Sequence, residues 1–235
     1  MKYFIVTAFS IFIFCSCDHM EGIKGSGNIR SEKRSVNQFN GVHVSGSIDV
    51  EIRHGDNLGV EVEADDNILT YVNTEVKNGI LNVDYKSNMS FSDTHAKVYV
   101  TASTLQQISS SGSADITDRD GIQSNGLIDV RVSGSGNITA QLNAPSVKAA
   151  ISGSGNLVLK GKTRNFDCSV SGSGDARCWD LLSENTTISV GGSGNAHVYA
   201  SVSLKATASG SGDISYRGNP QNPEIHTSGS GSVQP

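Results

Sequence analysis

Ser152-Gly-Ser-Gly-Asn156 returns along the second half of the chain as Ser111-Gly-Ser-Ala-Asp115, Ser133-Gly-Ser-Gly-Asn137, Ser171-Gly-Ser-Gly-Asp175, Gly191-Gly-Ser-Gly-Asn195, Ser209-Gly-Ser-Gly-Asp213 and Ser228-Gly-Ser-Gly-Ser232. The second residues of these copies, Gly112, Gly134, Gly153, Gly172, Gly192, Gly210 and Gly229, are separated by 22, 19, 19, 20, 18 and 19 residues. A near-constant period of this size signals stacked structural units. Two, four and six residues before each of these glycines the chain is mostly apolar, as in Val132/Val130/Ile128, Ile151/Ala149/Val147 and Val170/Cys168/Phe166. The first and third residues after the motif repeat the pattern: Ile138/Ala140, Leu157/Leu159, Ala176/Cys178. Period two on both sides of a turn means strand, turn, strand with one face inward. So small a unit cannot bury its own apolar face, so neighbours must stack into a continuous core. The expected fold is all-β: a parallel β-helix-like solenoid with coils of about 19 residues over 111–235.

Glycine at a corner repeated in every coil is expected to supply positive φ and close stacking of backbone on backbone. The Ser and Asn/Asp side chains are expected to bond local backbone and to form polar ladders along the stack. Asn143-Ala-Pro-Ser146 and Arg217-Gly-Asn-Pro220 read as second turns of their coils. Five residues before each glycine stand Asp129, Lys148, Asp167, Thr187, Lys205 and Glu224, whose near-alternating charge suits register control between parallel rungs. The motif superficially resembles a calcium-binding β-roll, but that repeat has half this period, and Asn137, Asn156 and Asn195 stand where an acid would be needed.

Ahead of the repeat, Ile48-Asp-Val-Glu-Ile52, Val60-Glu-Val-Glu63, Ile80-Leu-Asn-Val-Asp-Tyr85 and Ala96-Lys-Val-Tyr-Val100 alternate as half-buried strands. Turns are expected at His54-Gly-Asp-Asn57 and Lys77-Asn-Gly79, and a short helix within Asp66 to Glu75. Residues 37–110 thus read as an N-terminal β-rich capping section that caps or starts the solenoid, the end protection a repeat protein requires. At the start of the chain, Lys2, the apolar run Tyr3 to Phe14 and Cys15-Ser16-Cys17 have the order of a secretory signal, too short to span a bilayer. Ser16-Cys17 resembles a lipobox, which makes Cys17 the expected site of lipidation. Residues 1–16 are then a signal peptide and 17–36 a lipid-anchored linker. The expected location is outer membrane, on the periplasmic or cell-surface face, with the membrane a partner through the anchor.

Without residues 1–16 the chain holds 17 Lys+Arg against 23 Asp+Glu, and this acidic balance with no basic run argues against nucleic acid. Of the four cysteines only Cys168 and Cys178 fall in the repeat. They lack companions at zinc-site spacing and read as small buried thiols. The six histidines show no HxxxH or HExxH spacing, so neither a metal nor a cofactor is expected and no catalytic residue is assigned. One constellation stands out. The outward positions two and four after the Asn/Asp place Arg177, His197 and Ser215 in one row and Lys160, Trp179, Tyr199 and Arg217 in the next. The single tryptophan would lie beside a tyrosine among basic groups free of acids, an arrangement suited to sugar rings. Aromatic preference for strands explains the same residues without a ligand.

Phe39-Asn-Gly-Val-His-Val44, Gly46-Ser-Ile-Asp-Val-Glu51, the segment Glu75 to Val83 with Asn78-Gly-Ile-Leu81, and the serial Gly-Ser-Gly-Asn/Asp turns together resemble the autotransporter-adhesin head domain known as the GIN domain, over about residues 37–232. The resemblance implies an all-β helical stack and an adhesive role, and brings no catalytic or ligand residues with it. The expected function is a non-enzymatic cell-envelope lipoprotein that binds a surface glycan or protein. The alternatives are a β-helical polysaccharide-processing enzyme acting through Asp129, Asp167 or Glu224, and a purely structural envelope protein.

Overall fold

The computed structural model of the chain describes residues 22–86 and 89–235. Each Ser-Gly corner joins two strands, and each strand pairs in parallel with its counterpart one coil away. On the leading side, Leu127–Val132 pairs with the second half of Ile138–Ile151, which pairs in turn with Leu157–Val170 and Ala176–Val190. Ser203–Ala208 and Glu224–Thr227 continue this side. On the trailing side Ile116–Asp118 leads through the first halves of the same long strands to Ala196–Tyr199, Ile214–Arg217 and Val233–Gln234. The inward positions form columns one residue wide. Val132, Ile151, Val170, Val190 and Ala208 stack in register and are buried, as are Ala149, Cys168, Ile188 and Ala206. Cys168 and Cys178 are both free, and burial pushes their thiols up, Cys178 to about 12.

The motif residues follow from this stacking. The backbone N–H of Asn137 donates to the side-chain oxygen of Asp115 at 2.9 Å. Asn156 donates in the same way to Asn137, Asp175 to Asn156, Asn195 to Asp175, and Asp213 to Asn195. The ladder needs one side-chain oxygen per coil, which Asn and Asp supply equally. The corner glycines meet the expectation of close stacking of backbone on backbone but not that of positive φ. Among the stacked corners only Gly46 has positive φ, at 91°. At Gly112, Gly134, Gly153, Gly172, Gly192, Gly210 and Gly229 the space a Cβ would occupy holds the carbonyl oxygen of the corner glycine one coil earlier. Contact between coils selects glycine there, not backbone handedness. Asn143 to Ser146 also departs from expectation. Ile138–Ile151 remains one strand through Pro145, and the bend shows only as a phase break in burial between Ala144 and Val147.

The N-terminal section does more than cap. Gly41–Val44 and Asp49–His54 flank the corner at Gly46 and form a rung of the solenoid, pairing in parallel with Gln107–Ser110 and Ile116–Asp118 on one side. On their other side they pair in parallel with Ile80–Tyr85 and Ala96–Ala102. Rung order therefore departs from chain order: the coil that comes first in sequence lies second in the stack. The outermost strands are antiparallel. Val72–Lys77 folds back on Ile80–Tyr85 through Asn78 and Gly79, both at positive φ. Gly59–Asp65 lies along Ala96–Ala102, with Ile29–Arg34 outside it. Arg30, Glu32 and Arg34 stand opposite Ala64, Val62 and Val60, so the edge strand turns charges toward the interior, which blocks further pairing. The expected helix within Asp66 to Glu75 is a single 3-10 turn, Leu69–Tyr71, because the alternation of Val72, Thr74 and Val76 suits the hairpin better.

An ion cluster ties these first rungs together. Glu51, 7% exposed, accepts from Lys97 Nζ at 2.8 Å, Arg53 Nε at 2.8 Å and Arg119 at 3.2 Å. Lys97 above all, against the opposing effect of burial and with help from Arg53 and Arg119, holds the Glu51 carboxyl at about 2. A depressed carboxyl stabilises the fold fully above its ordinary value near 4.5, and that stabilisation is lost as pH falls toward 2. Allowing for the solvent around Arg119, the contribution is about 2 kcal/mol. Between pH 4.5 and 2, thermal unfolding of a Glu51→Gln variant should lose stability less steeply than the parent. Parallel acid limbs in the two proteins would remove Glu51 from this role.

Candidate functional site

Trp179 owes its position to a break in the repeat. Val158 pairs with Arg177, but Lys160 pairs with Asp180, so Leu159 faces both Cys178 and Trp179 across a β-bulge. The extra residue is the one that lengthens this coil to 20 between Gly172 and Gly192. A bulge bends its strand and re-aims a side chain, and here it lays the indole along the stack toward the next two rungs. Its ring centroid is 4.4 Å from that of His197, at an interplanar angle of 49°. The guanidinium of Arg217, two rungs on, lies 3.9 Å over the indole. Val158, Arg177, Trp179, Asp180 and His197 line a cleft of about 290 Å³ beside this cluster.

The expected rows are present with changes. Val158, Arg177, His197 and Ser215 run in register across four rungs, and Tyr199 pairs with Arg217. Lys160 falls opposite Asp180, and Trp179 packs on His197 and Arg217, because the bulge shifts everything after Arg177 by one residue. The expectation of a patch free of acids is corrected, since Asp180 forms part of the cleft wall and Arg177 leans 3.4 Å from Asp175. Tyr199 contributes its backbone carbonyl to the buried hydroxyls of Ser183 and Thr186. Cys17 and the signal-like segment lie outside the described residues.

The electrostatics favour a neutral ring at the centre. Burial lowers the His197 imidazole below its ordinary value, and Arg177 and Arg217 add to this against the opposing pull of Asp175. At neutral pH one ring nitrogen is therefore an acceptor. Among the described residues, Trp179 Nε1 and His197 Nδ1 are buried with no hydrogen-bond partner. An orphaned polar atom costs about 1–3 kcal/mol, and two at one place reward a hydroxyl able to reach them. The cluster thus offers an aromatic edge, an indole N–H, a neutral imidazole, two guanidinium groups and one carboxylate around a small cleft.

Solved structures share this architecture. A protein from Bacteroides fragilis NCTC 9343 described as a putative adhesin superposes with a TM-score of 0.86 at 22% identity, over 91% of this chain and 99% of its own. One from Parabacteroides distasonis ATCC 8503, described as a putative lipid binding protein, gives 0.71 at 26% identity, over 90% and 98%. Another from the same strain, described as a putative adhesin, gives 0.65 at 28% identity, over 90% and 98%. No curated protein matches the chain. The family described as "Putative auto-transporter adhesin, head GIN domain" matches residues 38–220, and the chain belongs to that family.

Proposed function

We propose that this chain is a cell-envelope adhesion protein that binds carbohydrate at the Trp179 cleft without a catalytic step, held at the membrane by lipid on Cys17. The observation that carries the reading is the bulge-displaced Trp179, packed on His197 beneath Arg217, with two unpartnered polar atoms beside a cleft of about 290 Å³. Sugar hydroxyls both donate and accept, and Arg177, Asp180, the indole N–H and the neutral imidazole supply the matching groups. A relative described as lipid-binding raises an acyl ligand as the other reading. The charged Arg177 and Asp180 in the wall suit a hydroxylated ligand better.

Two of the three carboxylates considered for catalysis, Asp129 and Glu224, are otherwise engaged. Asp129 accepts two bonds from Arg131, at 2.8 and 2.6 Å, and Glu224 accepts from His226 and Lys205, which hold it below the usual carboxylate range. A general acid needs the opposite shift. On a carbohydrate array, the full chain should bind a defined subset of glycans without cleaving them. Trp179→Ala should weaken that binding tenfold or more, a typical cost of removing a buried aromatic anchor. Equal binding by the variant, or bond cleavage by the parent, would refute the proposal.

A further inference from the structure

The sheet face that carries Trp179 continues toward the N-terminal end to a second cleft. From Ala176–Val190 it passes back through Leu157–Val170, Ile138–Ile151 and Ile116–Asp118 to Asp49–His54. Four steps at about 4.8 Å separate the Trp179 and Arg53 strands, and Tyr99 and Gly59 lie one and two strands beyond, so the two sites are about 19 to 29 Å apart along one face. The second cleft measures about 400 Å³, within the range of small-molecule sites, and Lys33, Arg53, Leu58, Gly59, Tyr99 and Thr101 form most of its wall. It exists because Gly59 and Thr101 are cross-strand partners too small to fill the outer surface between the Tyr99 ring and the loop at Leu58.

The cleft is basic in a chain of net charge −5. Glu51 is one carboxylate shared by Arg53, Lys97 and Arg119, so three cations converge on a single negative charge. Lys33 makes no ion pair among the described residues and stands opposite Glu61, the acid in the wall. Glu63, the next outward acid, lies 2.8 Å from His95 Nε2 and is not part of the wall. The Arg53 guanidinium is 4.1 Å from the Tyr99 ring centroid and uses Nε and one terminal nitrogen on Glu51, which leaves it further N–H donors.

We propose that this cleft binds an acidic sugar unit, a uronate or a sulfated residue. Lys33 and Arg53 would meet the anionic group, and Leu58 and Tyr99 the body of the ring. The apolar wall and the volume exceed what a bare ion needs. Between the clefts the outward residues include Thr117, Arg119, Thr139, Gln141, Val158 and Lys160, with no acid among them, so an extended acidic polysaccharide can lie along the face and fill both sites. That extension rests on the carbohydrate reading of the Trp179 cleft; the affinity of this cleft for an acidic sugar does not.

Calorimetric titration of the full chain with tetragalacturonate and with a heparin-derived tetrasaccharide at low salt tests the assignment. At least one should bind, and the affinity should fall as salt is raised. Thr101→Trp fills the cleft without changing charge, and Lys33→Gln removes one cation from an exposed strand. Each should lower the affinity tenfold or more, and the same loss should appear in a Trp179→Ala background, so the two sites succeed or fail separately. Absence of binding by both oligosaccharides, or binding untouched by Lys33→Gln and Thr101→Trp, would overturn the proposal. So would phosphatidylglycerol vesicles captured through Lys33 in place of either oligosaccharide, which would give the cleft to a lipid headgroup.

Discussion

Replacing Gly172 with valine should cost about 3 kcal/mol or more and lower the melting temperature by roughly 10 °C. The new Cβ would land on the carbonyl oxygen of Gly153 one coil below, and backbone has no rotamer by which to move aside. The Gly172 carbonyl is itself the nearest atom to the Cβ position of Gly192, so a local shift disturbs the next coil too. In a stack whose units contact only their neighbours, that displacement travels along the axis. Gly126→Ala is the matched control. No heavy atom lies within 4 Å of its Cβ position, and its backbone is not in the left-handed region, so the change should stay within about 1 kcal/mol. Equal melting temperatures for the two variants would mean that the corners are not stacked.

Phe166→Ala should be comparably severe, at about 3–5 kcal/mol in urea unfolding. Phe166 is among the largest fully buried side chains, and its in-register neighbours are Val147 below and Thr186 above. Neither can refill the space. Val147 is short, and Thr186 Oγ1 donates to the Tyr199 carbonyl at 2.7 Å, which fixes it in place. The cavity should therefore persist and not collapse. A loss below about 1 kcal/mol would show that the coils slide together where Phe166 was, contrary to a register held by hydrogen bonds on both sides.

The repeat, its inward columns and its corner ladder are all legible in the sequence, because each rests on residues close together in the chain and recurring at one period. What escaped that reading depends on contacts across long separations. The segment around Val44-Ser-Gly-Ser-Ile-Asp-Val50 is recognisable as a copy of the motif, but nothing local says that it pairs with both Ile80–Tyr85 and Gln107–Ser110. The second cleft is hidden for the same reason, since Lys33, Arg53 and Tyr99 meet only through that pairing. At the first site the aromatic and basic residues stand out, while their arrangement turns on one bulge. The 20-residue interval between Gly172 and Gly192 was its only trace, and it moved Asp180 into the wall of the cleft. The handedness expected of the corner glycines failed because two separate physical demands, positive φ and room for a carbonyl, select the same residue.

The displaced first coil also sets an order of assembly. From Leu127 onward each coil closes on the one just completed, so the chain can add them one at a time with short loop closures. Gly41–Val44 and Asp49–His54 cannot join in that way. One of their edges waits for residues 80–102 and the other for residues 107–118, at the entropic cost of closing loops about two to three and a half times as long as a coil. Although they come first in the chain, they are paired on both edges only once residues up to 118 are in place. The N-terminal end of the stack is thus the expected slow step, with nucleation falling to the uniform coils at Ile138–Ile151 and Leu157–Val170.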